Sequence, residues 1–402
     1  MHSDGDTPTL FRDHVPEADW EPTEDEIACA LELNTLNTFR THFRRLKGEF
    51  RSFRSMLEAP EEALREIPGW ADAWRKLFME QRARLTVGNE LSRLPGDVRI
   101  VTYFDPEFPP ALRELYNPPP VLYVRGDLSY DFPASLSMVG SRVYSEYGRR
   151  TAEQFAYQLA SWGFTIFSGG ARGIDSIAHK GALAAGGKTM AVFGCGIDVV
   201  FPAENRDLFA RIAESGAIIS EFPIGTVPEK FNFPARNRLI ATLSRGALIV
   251  EAAEKSGALI TADLALQNGP EVFAVPGRLT DGQSRGTNRL IQDGAHLVLD
   301  PSDIPLRFGL TLLHADPSFS DKAAEQLKGD EALVYEAVGL EAKSSDALVR
   351  EVGIPAPRVL AALLILQTKG LVRELAGSRF VRPIGHAKPL GEPSPPDAPM
   401  QQ

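Results

Sequence analysis

Two short stretches set glycines and an arginine directly after an apolar run: "MVGSRVYSEYG" (138–148) and "SGGARGIDSIAHKGAL" (168–183). In the first, Gly140 lets a ligand approach the backbone closely. Ser141 offers a hydroxyl, and Arg142 a forked, permanently charged guanidinium suited to phosphate. In the second, Ser168, Gly169, Gly170 and Gly173 surround Arg172 at the opening of a helix. Backbone N–H groups there are expected to face an anion, helped by the partial positive charge of the helix N-terminus. One glycine turn between strand and helix is commonly a packing device. Two of them, each with an arginine and at adjacent strand ends, point to anion binding.

The anion is not a nucleoside triphosphate held by a P-loop, because no Gly-Lys-Ser/Thr is present. A dinucleotide is disfavoured too. The three-glycine spacing is absent, and the next strand ends in Ser168-Gly169-Gly170 rather than in a carboxylate for a ribose. Further cations and aromatics follow the later strands: Arg206 and Phe209 in "PAENRDLF", Phe231, Phe233, Arg236 and Arg238 in "KFNFPARNR", and Arg285 and Arg289 in "SRGTNR". Many anion contacts along one edge, with aromatic faces between them, suit a polymer. Single-stranded nucleic acid wants backbone-tracking cations plus stacking platforms, each stacked base contributing ~1–3 kcal/mol. Phe231 and Phe233 read more simply as core packing, while Phe209 reads either way.

Catalytic chemistry is thinly provided. Asp175 and His179 lie four apart on one helix, but no serine, cysteine or second carboxylate is placed by sequence to complete a nucleophilic site. Asp175 reads as a turn-bracing carboxylate and His179 as a structural histidine. A reactive thiol at Cys195, between Gly194 and Gly196, is the lesser reading of that residue. Glu251 is open between catalysis and bracing a turn. No catalytic residue, metal or cofactor is expected.

The elements that must position these residues run from Ile100 to Asp300. Short β-rich runs such as "ASLSMVG", "FTIFSGG", "TMAVFGCG", "AIISEFP", "ALIVEAA", "EVFAVPG" and "HLVLD" alternate with helical segments. Continuous apolar strands, each followed by a helix, indicate an α/β fold: a Rossmann-like, doubly wound, mostly parallel sheet. The expected organisation has six parts. A disordered acidic tail (1–26) precedes a small all-helical domain (27–99) and the sheet domain (100–310), which opens with a proline-broken lead-in or edge hairpin. A linker (311–327), a winged-helix domain (328–382) and a disordered tail (383–402) follow.

The net charge of -10 over 402 residues does not oppose a polyanionic partner. Residues 1–26 hold nine Asp/Glu against Arg12 alone, whereas 131–300 hold 16 Lys/Arg against 17 Asp/Glu. Two cysteines, Cys29 and Cys195, make no disulfide framework, and no apolar run reaches membrane length. A soluble, cytoplasmic protein is expected.

In series with these, the motifs "GCGIDVVFPAENRDLF", "SEFPIG", "FPARNRLIATLS", "VEAAEKSGALITADLALQNG", "VFAVPG" and "GTNRLIQDGA" resemble the DNA-processing protein A (DprA/Smf) family of bacteria, from about Tyr103 to Ala295. The resemblance implies a non-enzymatic, sequence-independent single-stranded DNA-binding protein. Such a protein forms a homodimer through the Rossmann-like domain, protects incoming strands and loads the RecA recombinase in natural transformation and recombination. A single-strand-binding protein is a further implied partner. The family's strand-binding arginine falls on Arg142, its glycine-turn contacts on Ser168, Gly169, Gly170 and Arg172, and a basic–aromatic pair on Arg206 and Phe209. Gly170 departs from the family, where many members carry a larger apolar residue, and a change in the turn's stiffness is expected.

The flanks match less sharply. "EIPGWADAWRKL" resembles a helix-hairpin-helix (a SAM-like helical unit is the broader description). Ala71 replaces its second glycine and Glu66 and Asp72 lie close by, so a structural or protein-contact role is favoured. The winged helix carries only Arg358 and Lys369 on "PAPRVLAALLILQTKG", so a partner contact or dimer support suits it as well as DNA. The apolar helix in "SGALITADLALQNG" is a candidate dimer face. The rival reading is a nucleotide-processing enzyme resembling the lysine-decarboxylase-like phosphoribohydrolases. Their P-G-G-x-G-T motif meets Ser168-Gly169-Gly170-Ala171-Arg172-Gly173 here, and the threonine is missing. A duplex-binding regulator driven by 328–382 ranks last.

Overall fold

A computed structural model describes residues 22–310, 327–339, 343–369, 371–375 and 378–382. The acidic segment before residue 22, the linker up to 326 and the tail from 383 lie outside the described residues. The chain begins with six helices: α1 (Glu24–Thr35), α2 (Asn37–Glu49), α3 (Phe53–Glu58), α4 (Glu61–Arg65), α5 (Asp72–Arg82) and α6 (Asn89–Ser92). The boundary expected at residue 26 falls inside α1. Thr23 caps that helix by accepting from the Glu26 N–H, and carboxylates in a first turn are favoured by the positive end of the helix. Glu26 is buried and accepts the backbone N–H groups of Phe53 and Arg54. Its charge is therefore structural and not part of a tail.

Two antiparallel strands follow, β1 (Arg99–Thr102) and β2 (Val121–Gly126), with α7 (Pro110–Arg113) between them. The proline-broken lead-in thus forms the antiparallel edge of the sheet, β2 pairing with β6. Then come β3 (Ser135–Val139), α8 (Glu146–Ser161), β4 (Thr165–Ser168), α9 (Ile174–Ala184), β5 (Thr189–Phe193), α10 (Arg206–Ser215) and β6 (Ala217–Ser220). The series continues through α11 (Asn232–Thr242), β7 (Gly246–Ile249), α12 (Gly257–Asn268), β8 (Glu271–Ala274), α13 (Arg285–Gln292), β9 (His296–Leu297) and α14 (Asp303–Arg307). The nine strands lie in the order β1-β2-β6-β5-β4-β3-β7-β8-β9, parallel from β6 to β9. This is the doubly wound sheet that the alternation of apolar runs and helices predicts.

Both faces of the sheet are covered. One carries α8 and α9, with Leu159, Ile174 and Ala178 against Leu136 and Leu248. The other carries α10, α11 and α12, and its core runs on without a break into the aromatic cluster of Phe39, Phe43, Phe53 and Phe78 in the helical region. Asn34 ties α1 to the sheet domain by donating to the Glu221 carbonyl at 3.0 Å.

The C-terminal unit has its own core, built on Val334, Leu348, Leu363 and Phe380. It comprises α15 (Asp330–Ala337), β10 (Lys343–Ser344), α16 (Ser345–Val352), α17 (Ala356–Thr368), β11 (Arg373–Leu375) and β12 (Arg379–Val381), a winged-helix arrangement. Among the described residues no helix is long and apolar enough to cross a membrane.

Candidate nucleic-acid interface

Strand order reverses between β3 and β7, since β4–β6 lie to one side and β8–β9 to the other. A crevice opens beyond the carboxyl ends of strands at such a point, and ligands of open α/β sheets bind there. A cleft of 630 Å³ occupies that place, walled by Gly140, Ser141 and Arg142 after β3, by Lys255 to Thr261 after β7, and by Lys230, Phe233 and Asn237 at α11. Arg142 is exposed, its guanidinium carbon 5.6 Å from the centre of the Phe233 ring. Phe233 in turn meets Phe201 at 5.9 Å between ring centres. Arg142, Lys230 and Lys255 are exposed and, among the described residues, pair with no carboxylate. Three uncommitted cations around an aromatic pair form an anionic-polymer site with a stacking surface.

The backbone of the first turn is held from below. Ser141 donates its N–H to the Glu251 carbonyl at 2.8 Å, and its hydroxyl closes a local turn by donating to the Val143 carbonyl at 2.5 Å. Buried Glu251 accepts the Ser145 N–H at 2.9 Å and the Ser145 hydroxyl. Of the two roles open to Glu251 from sequence, the structure gives it the bracing of this turn.

The second turn corrects an expectation. Its amides do not face outward to an anion. The N–H groups of Gly169 and Ala171 donate to Asp175 Oδ2 at 3.2 and 3.4 Å, so the cradle is filled by the chain's own carboxylate. Arg236, expected to track a strand, is buried and donates to the carbonyls of Gly169, at 2.8 Å, and Val192. Burial pushes the Asp175 carboxyl up against the opposing pull of Arg236 and the two amides, and lowers the Arg236 guanidinium to about 10. Arg236 braces the turn.

Ser168 is likewise fully buried, its hydroxyl donating to the Met138 carbonyl at 2.7 Å. Gly173, at φ +87°, brings the two turns together: a Cβ there would lie 2.3 Å from the Ser141 carbonyl oxygen, which accepts the Ile174 N–H at 3.2 Å. Gly170, at φ +65°, leaves room for Phe209, whose ring a Cβ would meet at 2.8 Å. Phe209 is buried edge-on against Phe193 at 4.7 Å, so its ring supports the turn from beneath and is closed to a base.

The remaining candidates scatter. Arg206 is exposed at the start of α10. Arg172 is exposed and paired with Glu204. Arg238 pairs with Glu221 in a separate cleft. Arg285 lies 3.9 Å from Glu254, and Arg289 2.9 Å from Asp293. Phe231, expected in the core, is 70% exposed, and Phe233 lines the cleft. His179 is fully buried, Nδ1 at 2.7 Å from the Thr189 hydroxyl, and burial lowers it to about 3. Cys195 is buried, donates to the Val199 carbonyl at 3.4 Å, and is pushed up to about 11, which keeps the thiol protonated and a poor nucleophile.

Sequence reading missed Lys230, Lys255 and Phe201. Each stands inside a motif already noticed, and the signal was the switch point itself, which brings the segments after β5, β6 and β7 to one crevice. On the winged helix Arg358 pairs with Asp330 at 2.6 Å and Lys369 with Glu331 at 2.5 Å, so both cations of α17 are engaged.

With this geometry in hand, comparisons with known proteins can be weighed. The family description "DNA recombination-mediator protein A" matches residues 99–309, and "DprA winged helix domain" matches 320–378. Protein Smf of Escherichia coli (strain K12) is 42% identical over 286 residues, 69% of this chain and 76% of that protein. The X-ray structure of DNA processing protein A from Streptococcus pneumoniae superposes with a TM-score of 0.61 at 34% identity, covering 72% of this chain and 99% of that one. A structure of the Helicobacter pylori protein, described for its single-stranded DNA binding mode, is 32% identical over 52% of this chain and 94% of its own, with a TM-score of 0.48.

Proposed function

This chain belongs to the DNA recombination-mediator protein A (DprA/Smf) family of DNA-processing proteins, and from that premise we propose that it binds single-stranded DNA in the cleft at the β3–β7 switch point. The observation that carries the reading is the exposed Arg142 guanidinium over the Phe233 ring, in an open crevice with Lys230 and Lys255 uncommitted. Arg142 anchors a phosphate as a fork, and the two lysines follow the backbone as point charges. Phe233, backed by Phe201, offers a face on which any base can stack. None of these contacts reads a base edge, so binding in this cleft is independent of sequence. Asp175 and Arg236 hold the turn that positions Arg142 and touch no strand themselves.

The protein acts without catalysis: it protects an incoming strand and passes it to the RecA recombinase during transformation and recombination. It works as a homodimer built on the sheet domain, on strands also covered by single-strand-binding protein. The test is titration of a fluorescent dT oligonucleotide at two salt concentrations, with native protein and Arg142→Ala. Native protein should bind single strands well above duplex, weaken as salt rises, and lose most affinity with the substitution. Undiminished binding by Arg142→Ala would move the strand away from this cleft. Recombinase delivery is read separately, as the rate of RecA filament growth on strands coated with single-strand-binding protein.

A further inference from the structure

A second cleft, of 180 Å³, lies where the helical region meets the sheet domain, lined among others by Arg40, Asn117, Glu221, Phe231 and Arg238. Its volume equals about six waters, room for one base. Buried side-chain polar atoms nearly always have partners. Here Asn117 Oδ1, Glu221 Oε1 and Arg238 Nη1 have none among the described residues, whereas the larger cleft holds one such atom, on Gln283. Glu221 is only 5% exposed, and its other carboxylate oxygen takes the Arg238 guanidinium.

Two acceptors and a donor await a planar partner with two adjacent N–H donors and a carbonyl. Guanine presents that set on its pairing edge, N1–H and the 2-amino group beside O6. Adenine and cytosine offer one amino donor beside ring acceptors, and thymine one N–H between two carbonyls. A carboxylate accepting from guanine forms charge-assisted bonds, the strong class. At the mouth Phe231 is 70% exposed and presents a ring on which the base can stack. Arg40 adds a positive charge on the opposite wall for the attached phosphate.

The two clefts lie on either side of α11. Phe233, Arg236 and Asn237 line the first, and Asn232, Ala235 and Arg238 the second, as the spacing of helical rows requires. A strand crossing Lys230 at the head of that helix reaches both.

We propose that this second cleft is a guanine subsite, in which Glu221 and Asn117 accept from the base, Arg238 donates to its O6 and Phe231 stacks on it. The strand form of the idea rests on the single-stranded DNA reading above. A free guanine nucleotide presents the same edge, so the experiment separates the two sources. Native protein is titrated with a dT oligonucleotide and with the same oligonucleotide carrying interspersed dG, dA or deoxyinosine. It is titrated separately with dGMP and dAMP.

The dG oligonucleotide should bind about tenfold more tightly than dT or dA, the scale of one well-formed base contact set. Deoxyinosine, which lacks the 2-amino group, should lose most of that gain. Asn117→Leu and Glu221→Gln should abolish the preference and leave dT affinity as it was. Should Glu221→Gln fail to fold, the deoxyinosine comparison on native protein still decides. Equal affinity for all four oligonucleotides, with dGMP bound no better than dAMP, overturns the guanine assignment. A dGMP preference with no gain from dG in the oligonucleotide keeps the chemistry and overturns the strand as its source. If even dT fails to bind, the strand reading falls, and dGMP against dAMP judges the cleft by itself.

Discussion

Arg142 and His179 show two opposite uses of a titratable side chain. Arg142 stands uncommitted over an aromatic face and has only a ligand's phosphate to answer. If it, Lys230 and Lys255 each meet one phosphate, log affinity should fall against log salt with a slope of about -2 for a single strand, and Arg142→Ala should reduce that slope by about 0.7. Fluorescence titration across a salt series measures both values, and a slope near zero would remove phosphate contact from the account. His179 is fully buried, and burial holds its folded value at about 3 against 6.5 for an ordinary histidine. Between those values the unfolded chain takes up a proton that the folded one refuses. Stability should therefore fall on acidification, by about 1.4 kcal/mol for each pH unit below 6 as far as about pH 3. In His179→Gln the denaturation midpoint should vary less with pH over that window; an unchanged pH profile would assign acid lability to other groups.

At the scale of elements, the decisive feature is that two strand-to-helix turns are packed backbone to backbone through Gly173. Gly173→Ala demands both a left-handed backbone from alanine and room 2.3 Å from the Ser141 oxygen. A loss of about 1–3 kcal/mol of stability is expected, and because Arg142 rides on the displaced turn, oligonucleotide affinity should drop with it. Calorimetry and the dT titration on the same sample test both halves. The strands and their order of appearance were legible in the sequence, because continuous apolar runs ending in glycine have few other meanings. The role of Asp175 as a brace was legible too. What it braces was not, because sequence leaves open whether the amides of Gly169 and Ala171 turn outward or back to that carboxylate. Phe209 and Arg236 were misread for a related reason: a helix shows which positions share a face, and only packing on the sheet decides which face turns inward. Lys230 and Lys255 were passed over because their closeness to Arg142 exists only after β7 is placed beside β3.

For the whole molecule, the cores divide the chain unevenly. The helical region and the sheet domain share one continuous apolar cluster, whereas the winged helix holds its own. Removing residues from 328 onward should leave the melting temperature of the remainder nearly unchanged, and removing 22–98 should lower it sharply by opening that shared core to water. Differential scanning calorimetry of the two truncations distinguishes this from a chain that melts as one body. One consequence concerns the solutes such a molecule meets. The glycine turn of many nucleotide-binding sheets welcomes any phosphate ester, and a protein so built is occupied by monomers before a polymer arrives. Here Asp175 sits in that turn as a permanent tenant. Its place excludes the lone phosphate, and the open cations stand apart from one another at the rim. A ligand that touches one of them gains little, and a ligand that touches several in succession gains in proportion. The turn thereby makes the protein a counter of linked phosphates, indifferent to single ones.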